Sequence, residues 1–114
     1  MGNNIIQEKT YEFSKKIVLF CLSIQKNQKE YILSKQLLRS GTSIGANVEE
    51  GIGGFSKNDF RYKMSISYKE ARESKYWIRL LRDTDLAAEE ECEILLKDVE
   101  EITKILYRIV QNSQ

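Results

Sequence analysis

Four glutamates, Glu49, Glu50, Glu70 and Glu73, come nearest to a catalytic arrangement in this chain. Carboxylates on facing helices can bridge two metal ions inside a bundle, but that design also draws on Glu-x-x-His pairs. The chain contains no histidine. That removes the commonest general base and every Ser-His or Cys-His nucleophile. The two cysteines, Cys21 and Cys92, fall on apolar helical stripes and read as buried thiols rather than a disulfide or metal ligands. Gly51-Ile52-Gly53-Gly54 lacks the Lys and Ser/Thr of a phosphate-binding loop. A non-enzymatic protein is expected, with no cofactor, metal or small-molecule substrate.

Two other constellations could bind something. Lys57, Arg61, Arg72, Lys75, Arg79 and Arg82 form a basic stripe along one helix, with Tyr68 inside it. Such a stripe is either a solvated face or a track for a phosphate backbone, in which case binding is salt dependent and weak in sequence preference. On another side of the same helix lie Tyr62, Ile66, Trp77 and Leu80. An aromatic cluster of that kind fits self-association, unless a neighbouring helix wraps round to cover it.

The elements that would carry these residues follow from periodicity. Residues 33–55 read as an unusual helix, in which Gln36, Ser40, Ser43, Asn47 and Glu50 form a polar band beside the apolar band Leu37, Ile44, Val48 and Gly51. Buried polar groups there need partners on neighbouring helices. Asn47 and Glu50 are expected to bond to the next helix or to the turn that follows, and Arg39 to pair with Glu70 or Glu73; the alternative is a ligand-lined band. Gly41 and Gly45 either admit a neighbouring helix backbone or mark a kink near Ser40-Gly41-Thr42. The Gly-Ile-Gly-Gly run supplies residues able to take a left-handed helix cap.

Phe13, Ile17, Phe20 and Ile24 define a first helix over about 8–27. The second spans about 31–52. Ser56-Lys57-Asn58-Asp59 resembles a capping sequence and opens a third over 57–83. The stripe Phe60, Met64, Ser67, Ala71, Ser74, Ile78 and Leu81 faces its bundle. A tight turn at 83–87 leads to a fourth helix over about 87–112, with glutamates at its start and the seam Leu95, Val99, Ile102, Leu106 and Ile109. Four antiparallel helices in one domain satisfy these stripes most simply.

At 114 residues the chain allows one core, and the absence of proline with 31% charged and 41% apolar residues favours an all-helical domain. The net charge of +1 conceals a polarity. Residues 56–86 carry eight basic against five acidic groups, and residues 87–114 carry three against seven. The longest apolar run, Ile17 to Leu22, falls well short of the roughly 20 residues that span a bilayer. With no export-signal pattern at its start, the chain reads as cytoplasmic.

Three strings then stand together: Gln36-Leu-Leu-Arg39-Ser40-Gly-Thr-Ser43-Ile44-Gly-Ala-Asn47-Val-Glu-Glu50-Gly51, Ser56-Lys-x-Asp59-Phe60, and Ile66-Ser-x-Lys-Glu70-Ala71-x-Glu73-x-x-Tyr76-Trp77-Ile-x-Leu80-Leu81. Combined, they closely resemble the bacterial four-helix-bundle family encoded in intervening sequences of large-subunit ribosomal RNA genes, some members of which carry a ribosomal-protein label. The resemblance implies a left-handed up-and-down bundle that assembles into a homopentamer, with Arg39, Ser40, Ser43, Asn47, Glu50, Gly51, Glu70 and Glu73 as motif positions and no enzymatic role. The chain is also similar to the accessory variability protein of diversity-generating retroelements, a markedly basic pentamer that binds reverse transcriptase and nucleic acid. The expectation is a homo-oligomeric adaptor whose partners are its own copies and RNA or a nucleic-acid-processing protein. The alternative is a protein-binding scaffold without nucleic acid.

Overall fold

Four helices account for nearly all of residues 2–113, which the computed structural model describes: α1 (Gly2–Gln28), α2 (Ile32–Ile52), α3 (Lys57–Asp83) and α4 (Glu89–Asn112). There are no strands among the described residues. Each helix packs on its neighbours in sequence and α4 closes against α1, so α1 and α3 stand diagonally across the bundle. Cross-helix contacts run in opposite order on facing helices, as antiparallel packing requires: Gln7 meets Glu49 while Gln25 meets Ser34, and Ser40 meets Ser74 while Glu50 meets Lys63. The bundle measures 44 × 20 × 19 Å, the length set by a 27-residue helix rising about 1.5 Å per residue.

The apolar stripes meet as their spacing demands. Phe13 and Ile17 of α1, Leu37, Ile44 and Val48 of α2, Met64, Ala71 and Ile78 of α3, and Val99 and Leu106 of α4 are all buried. Cys21 and Cys92 are free buried thiols within this core.

Three sequence expectations need correction. The first helix starts near residue 2 rather than 8, because Ile6 and Thr10 extend the buried stripe by two turns. Thr10 sits there without an unpaired group, since its hydroxyl donates to the Ile6 carbonyl at 2.8 Å. The fourth helix starts at Glu89 rather than 87, because Leu86 and Ala87 pack against the core within the preceding turn.

The third correction concerns the turns. No described glycine takes a positive φ; the left-handed positions are Lys29 (φ 56°) and Asp85 (φ 59°). At the end of α3 the Leu86 N–H donates to Leu81 and the Asp85 N–H to Arg82, the two bonds of a Schellman cap built on an aspartate. The α2 end instead closes through right-handed geometry, with Gly53 N–H donating to Glu49. At Gly54 proximity rather than φ favours glycine, since a Cβ there would stand 3.1 Å from Asp59 Cβ.

Helix α2 is continuous, and its inner glycines admit α1. A Cβ on Gly41 would stand 2.8 Å from Ile17 Cγ2, and one on Gly45 would stand 3.3 Å from the Thr10 carbonyl oxygen. At the start of α2, the Glu30 carboxylate accepts three backbone N–H bonds, from Ile32, Leu33 and Ser34, at 2.9 to 3.0 Å. Burial works to raise the Glu30 pKa, but these three donors together outweigh it and hold the group below its ordinary value.

Candidate functional site

Small hydroxyl side chains let α2 and α3 approach closely, and this contact positions most of the motif residues. Ser40, Ser67 and Ser74 are fully buried. Ser74 donates to Ser40 at 2.9 Å and Ser67 to the Ile44 carbonyl at 2.8 Å, tying the helices without leaving a polar atom open. Gly51 is buried where a Cβ would strike Met64 Cε at 2.9 Å.

Above this seam lies a charged lattice. The Arg39 guanidinium spans Glu70 and Glu73 of α3, with Nη1 3.1 Å from Glu70 Oε2. Trp77 Nε1 donates to Glu73 at 2.9 Å. The Trp77 hydrogen bond, followed by the bond and charge of Arg39, lowers the Glu73 pKa, while Glu73 and then Glu70 raise that of Arg39. Glu50 pairs with Lys63 at 2.8 Å. Asn47 departs from expectation: its amide donates to the Ser43 carbonyl of its own helix at 2.8 Å, and the Ser43 hydroxyl in turn donates to the Arg39 carbonyl. An amide four residues along a helix reaches the local carbonyl more readily than a partner across the groove. Among the described residues no buried side-chain N or O lacks a partner, so the band offers no open buried group to a ligand.

The aromatic face of α3 is partly covered. Tyr62 is 63% exposed, whereas Ile66, Trp77 and Leu80 are half-buried, and Trp77 packs at the margin of the core with its ring edge-on to Tyr76 at 5.2 Å. A second apolar surface escaped the sequence reading. Tyr11, Val18, Leu19 and Leu22 of α1 are exposed, and Ile94 of α4 stands beside Leu19 over a groove of about 380 Å³. Val18 adjoins the inner-stripe residue Ile17 in sequence, but the bundle turns that flank outward. The exposed residues at 11, 18 and 22 follow the same seam spacing as a buried stripe, which was the available signal.

The basic stripe divides. Lys75 pairs with Glu100 at 3.1 Å, and Arg82 with Asp83 and Glu93 at 2.8 Å, so the acidic helix α4 neutralises part of it. The hydrogen bonds that Arg82 donates to Asp83 and then to Glu93 raise its pKa. Arg61 donates to the Val110 carbonyl at 3.4 Å, and Lys57 lies apart, against the α2–α3 connection. Arg72 and Arg79 form no ion pair among the described residues, and with Lys75 and Lys104 they line a groove of about 430 Å³ between α3 and α4. Among the described residues one carboxylate lines it, Glu100. Arg72 lies over the Tyr68 ring, 5.9 Å from its centroid, and Tyr68 meets Tyr107 of α4 at 5.9 Å. Lys104 and Tyr107 were missed because they belong to a helix that is acidic on balance.

These features define an all-helical bundle with a polar-sealed inter-helix seam, a cationic groove, an exposed apolar face on α1 and a partly covered aromatic face on α3. Residues 2–108 match the family described as 23S rRNA-intervening sequence protein, and the chain belongs to that family. It is similar to a crystal structure of a protein of unknown function from the S23 ribosomal protein family of Bacteroides thetaiotaomicron. The two share 41% identity over 97% of this chain and 99% of that one, with a TM-score of 0.94. No curated protein matches. No described helix is long and apolar enough to cross a membrane.

Proposed function

We propose that this protein is a non-catalytic, homo-oligomeric adaptor, a pentamer, that associates with ribosomal RNA or an RNA-processing partner in the cytoplasm. The observation that carries the reading is the exposed apolar surface of α1 together with the partly covered aromatic face of the diagonal helix α3, where Tyr62 and Tyr76 stay exposed. A C2 dimer buries one self-complementary patch, whereas two unlike patches on opposite sides suit a head-to-tail contact, which makes a ring when its rotation closes. The absence of histidine and the burial of both thiols support a role without catalysis. Burial pushes the Cys21 pKa up to about 12 and that of Cys92 up to about 11, far from nucleophilic range.

Analytical ultracentrifugation tests the assembly. The wild type is expected to sediment as an oligomer, and Leu22→Glu and Tyr62→Glu to shift it toward monomer with helicity unchanged. A wild-type monomer at every concentration would overturn the reading. The RNA arm is tested by titrating salt against binding to structured RNA, where Arg72→Glu/Arg79→Glu should abolish an affinity present at low salt. The pairing of Lys75 and Arg82 with α4 favours a second reading, a protein-binding scaffold without nucleic acid. Unchanged RNA affinity in the double variant would select it.

A further inference from the structure

We infer that the groove between α3 and α4 is a binding site for unpaired, single-stranded RNA, with tyrosines that stack on bases beside cations that hold phosphates. The inference rests on the RNA reading above and adds the strand class and the site. Four cations, Arg72, Lys75, Arg79 and Lys104, face one carboxylate there, and Glu100 is already engaged by Lys75. Arg72 and Arg79, one α-helical heptad and roughly 10 Å apart along the helix, make no ion pair among the described residues, although Arg79 feels the charge of Asp83.

One aromatic ring lines this groove, and another stands beyond its lining, next to the Tyr68 ring that Arg72 covers. Tyr76 lines the groove and is half-exposed, and Tyr107 on the facing helix is 52% exposed although its ring leans on Tyr68. Packing on one side fixes each ring and leaves the rest of its surface to solvent. A fixed ring beside a guanidinium is a stacking platform, and Arg72, placed over Tyr68, extends it. A duplex offers phosphates to such a surface but keeps its base faces inside the stack. Unpaired nucleotides offer both.

The test compares a fluorescein-labelled oligouridylate with a blunt RNA duplex of equal length, by anisotropy across a salt series, using the full-length protein. The single strand is expected to bind tighter. Tyr107→Ala should weaken it roughly tenfold with the salt slope retained, and Tyr107→Phe should restore it. Arg79→Gln should instead lower the salt slope by about 0.7. Equal affinity for both RNAs, with Tyr107→Ala indistinguishable from wild type, overturns the single-strand site while the RNA reading survives. No binding of either RNA at low salt overturns both. Tyr76→Ala, on the other helix, gives an independent check should Tyr107→Ala lose helicity.

Discussion

Ser40 and Ser74 stand 2.9 Å apart at the buried centre of the α2–α3 contact, each a hydroxyl where a bundle ordinarily places a hydrocarbon. Ser74 has two acceptors at 2.9 Å, Ser40 and the Glu70 carbonyl of its own helix, whereas Ser40 has only the Leu37 carbonyl at 3.4 Å besides Ser74. Removing Ser74 leaves Ser40 desolvated with only its long Leu37 contact, which costs about 1–2 kcal/mol. Ser74→Ala should lower the urea midpoint accordingly, and the double variant with Ser40→Ala should cost less than the two singles summed. Additive losses would show that the hydroxyls act separately.

Gly41 predicts a steric coupling between α1 and α2. Its absent Cβ would fall 2.8 Å from Ile17 Cγ2, on a β-branched side chain that cannot rotate both branches away. Gly41→Ala should therefore destabilise by about 1–3 kcal/mol despite the better helix propensity of alanine. In an Ile17→Ala background the same change should be nearly neutral. Gly53→Ala, with a negative φ and the nearest atom at 3.6 Å, should be neutral or mildly stabilising.

Lys29 holds a left-handed conformation with an ordinary side chain. Glycine there relieves a strain of about 1 kcal/mol, so Lys29→Gly should raise the melting temperature. Asp85→Gly should gain less, because aspartate tolerates that region better than lysine.

Glu30 gives a pH dependence with a definite sign. Its pKa in the folded state lies below the ordinary value of 4.5, so its stabilisation is fully present above that value and disappears as pH falls through the folded pKa. Glu73 adds a contribution of the same sign, set first by the Trp77 hydrogen bond and then by Arg39. Glu30→Gln should cost about 1 kcal/mol at neutral pH and flatten the acid limb of the stability curve. An acid limb identical to wild type would place the titrating groups elsewhere.

Much of the fold was legible because periodicity encodes burial. Leu37, Ile44 and Val48 on α2 and Met64 to Leu81 on α3 lie where their spacing directs, and Ser56 caps α3 by accepting from the Asp59 N–H. The pairing of Arg39 with Glu70 and Glu73 was readable as well. The turns were not, since left-handed geometry fell on Lys29 and Asp85 rather than on the glycines that permit it most readily. Nor was the division of the basic stripe, because an ion pair such as Lys75–Glu100 depends on how two helices are rotated against each other. One helix's own periodicity carries no record of that rotation.

The placement of the two thiols has a practical consequence. Cys21 lies close enough to feel the charge of Glu30 at the α1–α2 junction, and Cys92 that of Arg82 and Asp83 at the α3–α4 junction. Antiparallel order brings both junctions to the same pole of the bundle. The chain thus contains a matched pair of native reporters, silent to an alkylating reagent while the helices stay closed. Pulsed alkylation read by mass spectrometry would clock the breathing of each hairpin separately, with no label introduced.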